Sequence, residues 1–126
     1  MKQGWIGVDL DGTLAKHTDT FDGDIGHPID PMVSRVKAWL AQGREVRVLT
    51  ARVARGFDKD ASQWHRIVEW CRDHIGQPLA VTSEKDPDMI VLWDDRCVQV
   101  VRNTGRTPEE LGRQQYTRLP AVMEKD

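Results

Sequence analysis

Ile6-Gly7-Val8-Asp9-Leu10-Asp11-Gly12-Thr13-Leu14 runs from an apolar stretch straight into two carboxylates one residue apart. Side chains on a strand alternate faces, so Asp9 and Asp11 point the same way, and like charges held close need a cation or a shared proton. Gly12 permits a sharp turn, and Thr13 and Leu14 lead the chain away from the strand end. A hard divalent metal such as Mg²⁺ prefers carboxylate and carbonyl oxygens and is the natural compensator. The stretch predicts a buried strand over about residues 5–9 with an active site at its end.

Outward from it, residues 15–29 are polar and glycine-rich with no periodicity, which predicts a loop or small hairpin. Loops of that length in compact domains are usually functional, and this one is a candidate flap carrying His17 and His27. Asp30 as N-cap with Pro31 behind it starts a helix that stops before Gly43, with Val33, Val36 and Leu40, flanked by Met32 and Trp39, as its apolar stripe. Glu45-Val46-Arg47-Val48-Leu49 reads as a second buried strand ending at Thr50-Ala51-Arg52. Trp64, Ile67, Val68 and Cys71 recur at helical spacing, and Gly76 and Pro78 close that helix. Trp70 falls off this stripe and is a candidate interface residue. Leu79-Ala80-Val81 predicts a third strand and Met89-Ile90-Val91-Leu92-Trp93 a fourth, ending in Asp94-Asp95, with an added edge strand over residues 97–101. Thr107-Pro108-Glu109-Glu110 is a capping-box signature for a short C-terminal helix.

Strands alternating with helices imply a parallel sheet covered on both faces, a three-layer αβα Rossmann-like fold of the α/β class. Ligands of such sheets sit at the carboxyl ends of the strands. At 126 residues the chain suits one domain over residues 1–126, and 30% charged with 39% hydrophobic residues is an ordinary globular balance. The net charge of −2 gives no global pull toward nucleic acid or anionic membrane, although 12 of the 18 basic residues are arginines, suited to phosphate or carboxylate. Cys71 and Cys97 lack metal-type spacing and read as reduced and structural, which with the absence of a long uncharged N-terminal segment predicts a cytoplasmic protein without a membrane span. No Cys/His spacing supports zinc.

Four polar sets follow the expected strands: Asp9 with Asp11, Thr50, Lys85, and Asp94 with Asp95. Their order resembles the haloacid dehalogenase-like (HAD) hydrolase superfamily, whose signature is D-x-D-G-T, a strand ending in Thr or Ser, a Lys, and a strand ending in paired acids. The resemblance spans Ile6 to Asp95 and implies a Mg²⁺-dependent phosphatase. It casts Asp9 as nucleophile, forming an aspartyl-phosphate, and Asp11 as general acid and base. Thr50 and Lys85 would bind the phosphate, Lys85 also pairing with Asp9. Mg²⁺ would sit on Asp9, the Asp11 carbonyl and Asp94, with Asp95 as a further metal-site carboxylate or an orienting partner. Arg52 and Arg55 are candidates for contacting a substrate anion, and a solvated loop accounts for them equally.

Only nine positions separate Lys85 from Asp94, so the helix that many HAD proteins place there does not fit at full length. No insertion is long enough for the separate cap domain of larger relatives. The result is a minimal HAD-like core whose open site either admits large phosphorylated substrates, nucleic-acid ends among them, or borrows a lid from a second copy in a homo-oligomer. Two alternatives stand beside a general phosphatase: a polynucleotide-end or nucleotide phosphatase, and a non-enzymatic phosphoryl-accepting receiver-like module.

Overall fold

The computed structural model describes residues 3–17 and 23–112. Four strands form, β1 (Trp5–Val8), β2 (Glu45–Leu49), β3 (Ala80–Thr82) and β4 (Met89–Trp93), with helix α1 (Asp30–Ala41) after β1 and helix α2 (Ser62–His74) after β2. Every pairing is parallel, and the order across the sheet is β3-β2-β1-β4. This is the expected Rossmann-like α/β sheet. β1 is interior and buried at every position, which is why its sequence is an unbroken apolar run.

Helix α1 begins one residue off the expected register. Ile29 is its N-cap and Asp30-Pro31 opens its first turn, where proline needs no N–H acceptor and the carboxylate meets the positive end of the helix. Gly43, at φ +80°, ends it in the left-handed conformation that glycine adopts without cost. Met32, Val33, Val36 and Trp39 of α1 join Ile67, Trp70 and Cys71 of α2 in one core cluster with Ile6, Val8, Val46 and Val48. Ile6 pairs with Val46 and Val8 with Val48, so these strand residues share one face and both helices pack against it.

The opposite face is covered economically. Trp5 is fully buried there, its ring lying over Gly7, where an added Cβ would meet the Trp5 and Leu92 side chains at 3.2 Å. The Arg47 guanidinium stands 4.5 Å from the Trp5 ring centroid, and the indole N–H donates to Asp86 Oδ1 at 2.8 Å. Asp86 belongs to the crossover of residues 83–88 between β3 and β4, which carries no helix. One tryptophan, one cation and one carboxylate therefore pin an extended segment across the sheet.

Two expectations for the end of the chain change. Residues 97–101 form no strand: the Val101 N–H bonds the Arg106 carbonyl at 2.8 Å, so the segment turns back on itself and leaves Val98 and Val100 exposed. The capping box at Thr107 closes in both directions, Thr107 N–H to Glu110 Oε1 at 2.8 Å and Glu110 N–H to Thr107 Oγ1 at 3.2 Å, but heads a single 3-10 turn, Glu109–Leu111, ended by Gly112 at φ +67°. No helix among the described residues is long and apolar enough to cross a membrane.

Candidate functional site

The chain steps from β1 to β2 to β3 in one direction and then returns to place β4 on the other side of β1. The carboxyl ends of β1 and β4 therefore flank the point where the strand order reverses, the crevice where such sheets bind ligands. Asp9 follows β1, and its N–H donates to the Trp93 carbonyl at 2.8 Å, so the ladder carries the two strand ends side by side. Trp93 is fixed against α1 by Trp39, with ring centroids 5.2 Å apart, and by Arg35, whose guanidinium lies 4.8 Å from the Trp93 ring centroid. That contact anchors the chain just before Asp94 and Asp95.

Carboxylate oxygens of Asp9, Asp94 and Asp95 come within 4.8 Å of one another, a grouping that could hold a metal ion. Burial, the charge of Asp94, and the hydrogen bond and charge of Asp95 push the Asp9 carboxyl up to about 7, while a hydrogen bond from the Leu10 backbone works the other way. Asp95 is oriented by Thr13, whose Oγ1 donates to Asp95 Oδ1 and accepts the Asp95 N–H, both at 3.0 Å. Gly12 makes the room: it sits at φ +90°, and a Cβ there would come to 2.5 Å of Asp95 Oδ2. Asp94 Oδ1 accepts the Arg96 N–H at 2.8 Å, which shapes the turn after β4.

Asp11 lies in a different setting. Arg52 Nε donates to Asp11 Oδ2 at 2.7 Å and Arg52 Nη2 to Asp11 Oδ1 at 2.9 Å, a bidentate pair. The remaining Arg52 donors reach the Gly23 carbonyl at 2.9 Å, Gln63 Oε1 at 2.8 Å and the Asp24 carbonyl at 2.8 Å. Arg52 is 5% exposed with all five N–H groups engaged, so the expected contact with a substrate anion gives way to a structural one. Thr50 is likewise buried, 2% exposed, and its Oγ1 accepts the Arg52 N–H at 3.1 Å as the cap of the 3-10 turn Ala51–Val53.

Lys85 has no carboxylate partner among the described residues. It is exposed on the crossover beside Asp86, which is bound to Trp5 and Arg47, and among the described residues it makes no ion pair with Asp9. The flap forms a small hairpin at its base, with Lys16 N–H to the His27 carbonyl at 2.8 Å and an antiparallel bridge between Ala15 and Pro28. His17 and His27 are exposed on it, and residues 18–22 lie outside the described residues. Trp70 serves this hairpin rather than an interface: it is buried, donates Nε1–H to the Gly26 carbonyl at 3.1 Å, and makes a tilted ring contact with His74.

Thr13, Gln63 and Cys97 were not singled out from the sequence as site residues. Thr13 was legible as the last letter of D-x-D-G-T, whereas Gln63 carries no sequence signal. Cys97 is free and exposed, unlike buried Cys71, with its Sγ 3.4 Å from the Asp94 carbonyl oxygen; burial and then the charges of Asp94, Asp9 and Asp95 raise the thiol. Its expected structural role is replaced by a place on the rim.

Comparison with protein-family models gives no match, and comparison with curated proteins gives none. Among solved structures, the chain is similar to a conserved protein coded by a locus from Bacteroides thetaiotaomicron, at 18% identity and a TM-score of 0.58, covering 98% of this chain and 92% of that one. That likeness extends over nearly the whole of both chains and establishes the fold.

Proposed function

We propose that the protein is a Mg²⁺-dependent phosphomonoester hydrolase that works through an aspartyl-phosphate on Asp9, as the HAD-like motif order implies. The observation that carries this reading is the convergence of Asp9, Asp94 and Asp95 at the strand-order switch point. Three crowded carboxylates, one of them raised to about 7, match the donor chemistry of a hard divalent cation. Asp9, Asp94, Asp95 and the Asp11 carbonyl are the groups that would hold it, and bound Mg²⁺ would neutralise phosphoryl charge at the site.

In the first step an Asp9 oxygen attacks phosphorus, the ester P–O bond breaks, and Asp11 hands a proton to the leaving oxygen. In the second, water attacks phosphorus, the bond to Asp9 breaks, and Asp11 takes the proton of the attacking water. Each Asp11 oxygen keeps a lone pair beyond the one directed at Arg52, so the clamp aims the carboxylate without blocking it. The Thr50 hydroxyl, accepting from Arg52 N–H, retains its proton to donate to a phosphate oxygen. Lys85, exposed beyond β3, is the phosphate-binding lysine of this scheme, as the motif order implies. A receiver-like module fits less well, because its acceptor aspartate would stand where this chain has the buried cap Thr50. The free thiols of Cys71 and Cys97 suit a reducing, cytoplasmic compartment.

Asp9→Asn is expected to lower Mg²⁺-dependent phosphate release from an aryl phosphate by roughly 1,000-fold or more, as for loss of a nucleophile elsewhere. Full activity in that variant overturns the reading.

A further inference from the structure

Between the 3-10 turn and α2 the chain reads Ala54-Arg55-Gly56-Phe57-Asp58-Lys59-Asp60-Ala61. Its two acids are committed to the helix N-terminus: Asp58 accepts the N–H groups of Gln63 and Trp64, each at 2.9 Å, and Asp60 accepts that of Ser62 at 3.1 Å. Arg55 and Lys59 are exposed and, among the described residues, make no ion pair. Between and beside them stand two large aromatics, Phe57 at 55% and Trp64 at 41% exposure, the latter edge-on to His65 at 5.1 Å. The apolar spacing of α2 predicts Trp64 inside; in the first turn of the helix it is exposed instead.

This rim adjoins the site. Gln63, next to Trp64, touches Arg52, and Arg52 touches Asp11. An isolated exposed apolar residue needs no explanation, but alternating cations and aromatics, tied to Asp11 through Gln63 and Arg52, offer paired chemistry: phosphodiesters for the cations and planar bases for the rings. We propose that Arg55, Phe57, Lys59 and Trp64 form a stacking surface for a single-stranded nucleic acid whose terminal phosphate enters the carboxylate site. The inference rests on the phosphatase reading and names its substrate class. A base stacks on Phe57 or Trp64 while Arg55 and Lys59 meet backbone phosphates, so recognition follows single-strandedness and charge rather than sequence.

The test begins without catalysis: fluorescence anisotropy of a labelled single-stranded DNA oligonucleotide that lacks a terminal phosphate, in the absence of metal. Binding is expected at low salt and should weaken as salt rises, with a log-log slope of about −1.4 for two phosphate contacts. Phe57→Ala and Trp64→Ala should each weaken it about tenfold, and Trp64→Phe, which keeps a ring, should restore most of the loss. No binding by the unaltered protein, equal affinity for a blunt duplex, or equal affinity for a mononucleotide overturns the proposal. So does binding unmoved by both alanine variants. A second arm compares turnover of a phosphorylated oligonucleotide with that of an aryl phosphate, and the ratio is expected to fall about tenfold in the alanine variants. The arms separate the two claims: oligonucleotide binding without aryl-phosphate hydrolysis rejects the phosphatase and supports the surface, and hydrolysis without binding rejects the surface alone.

Discussion

Asp9 and Asp11 stand two residues apart and meet opposite electrostatics. Asp9 shares its surroundings with Asp94 and Asp95 and is raised to about 7, whereas Asp11 faces the bidentate guanidinium of Arg52. One carboxylate is left short of positive charge and the other is held by a buried cation whose remaining donors tie down the flap hairpin and α2. The contrast teaches that a D-x-D pair need not be one site with one compensator. Here the unmatched carboxylates are the place for a ligand, and the matched one is positioned beside it.

The strongest way to break the contrast is Arg52→Ala. It leaves Asp11 and the carbonyls of Gly23 and Asp24 without their buried donor, and about 3 kcal/mol of stability should be lost, read from the denaturant midpoint. A loss below about 0.5 kcal/mol would reduce the clamp to an ordinary surface ion pair. The same amide substitution should then act with opposite sign at the two positions. Asp11→Asn weakens the charge-assisted pair and is expected to cost about 2 kcal/mol, while Asp9→Asn relieves crowding and should stabilise the metal-free protein by about 1 kcal/mol. Destabilisation by both variants would mean that the carboxylate trio is not strained.

The pH response sharpens the same point. A carboxyl raised from its ordinary 3.8 to about 7 by folding binds more protons in the native state, so the stability it contributes is present at low pH and is lost as pH rises toward and through about 7. The metal-free protein should therefore lose stability over that interval. Mg²⁺ should raise the Tm more near about pH 8 than near about pH 5, because protons compete for the same oxygens. A Mg²⁺ effect independent of pH would remove Asp9 from the metal site. Thr13→Val deletes both hydrogen bonds to Asp95 and should weaken Mg²⁺ binding about tenfold by calorimetry, with little change in fold.

Much of this was legible in the chain. The bounds of β2 and β4 match their apolar runs, and β1 shows because a strand buried on both faces must be apolar throughout. The grouping of Asp9 with Asp94 and Asp95 was also readable, since a parallel sheet brings strand ends to one edge. Arg52 and Lys85 were not. The spacing of Arg52 from Thr50 is that of a loop residue facing solvent, and only the flap folding back onto α2 buries it. Lys85 follows β3 as expected, on a crossover that carries no helix, where it is exposed and, among the described residues, makes no ion pair with Asp9.

Local chemistry thus determined the strands, the helices, the turn at Gly12 and the set of carboxylates, because these depend on periodicity, φ preference and residue type along the chain. Tertiary structure alone decided which charge each carboxylate meets. Coulomb energy depends on distance through space, and Asp11 and Arg52, separated by 41 positions in sequence, are 2.7 Å apart in the fold.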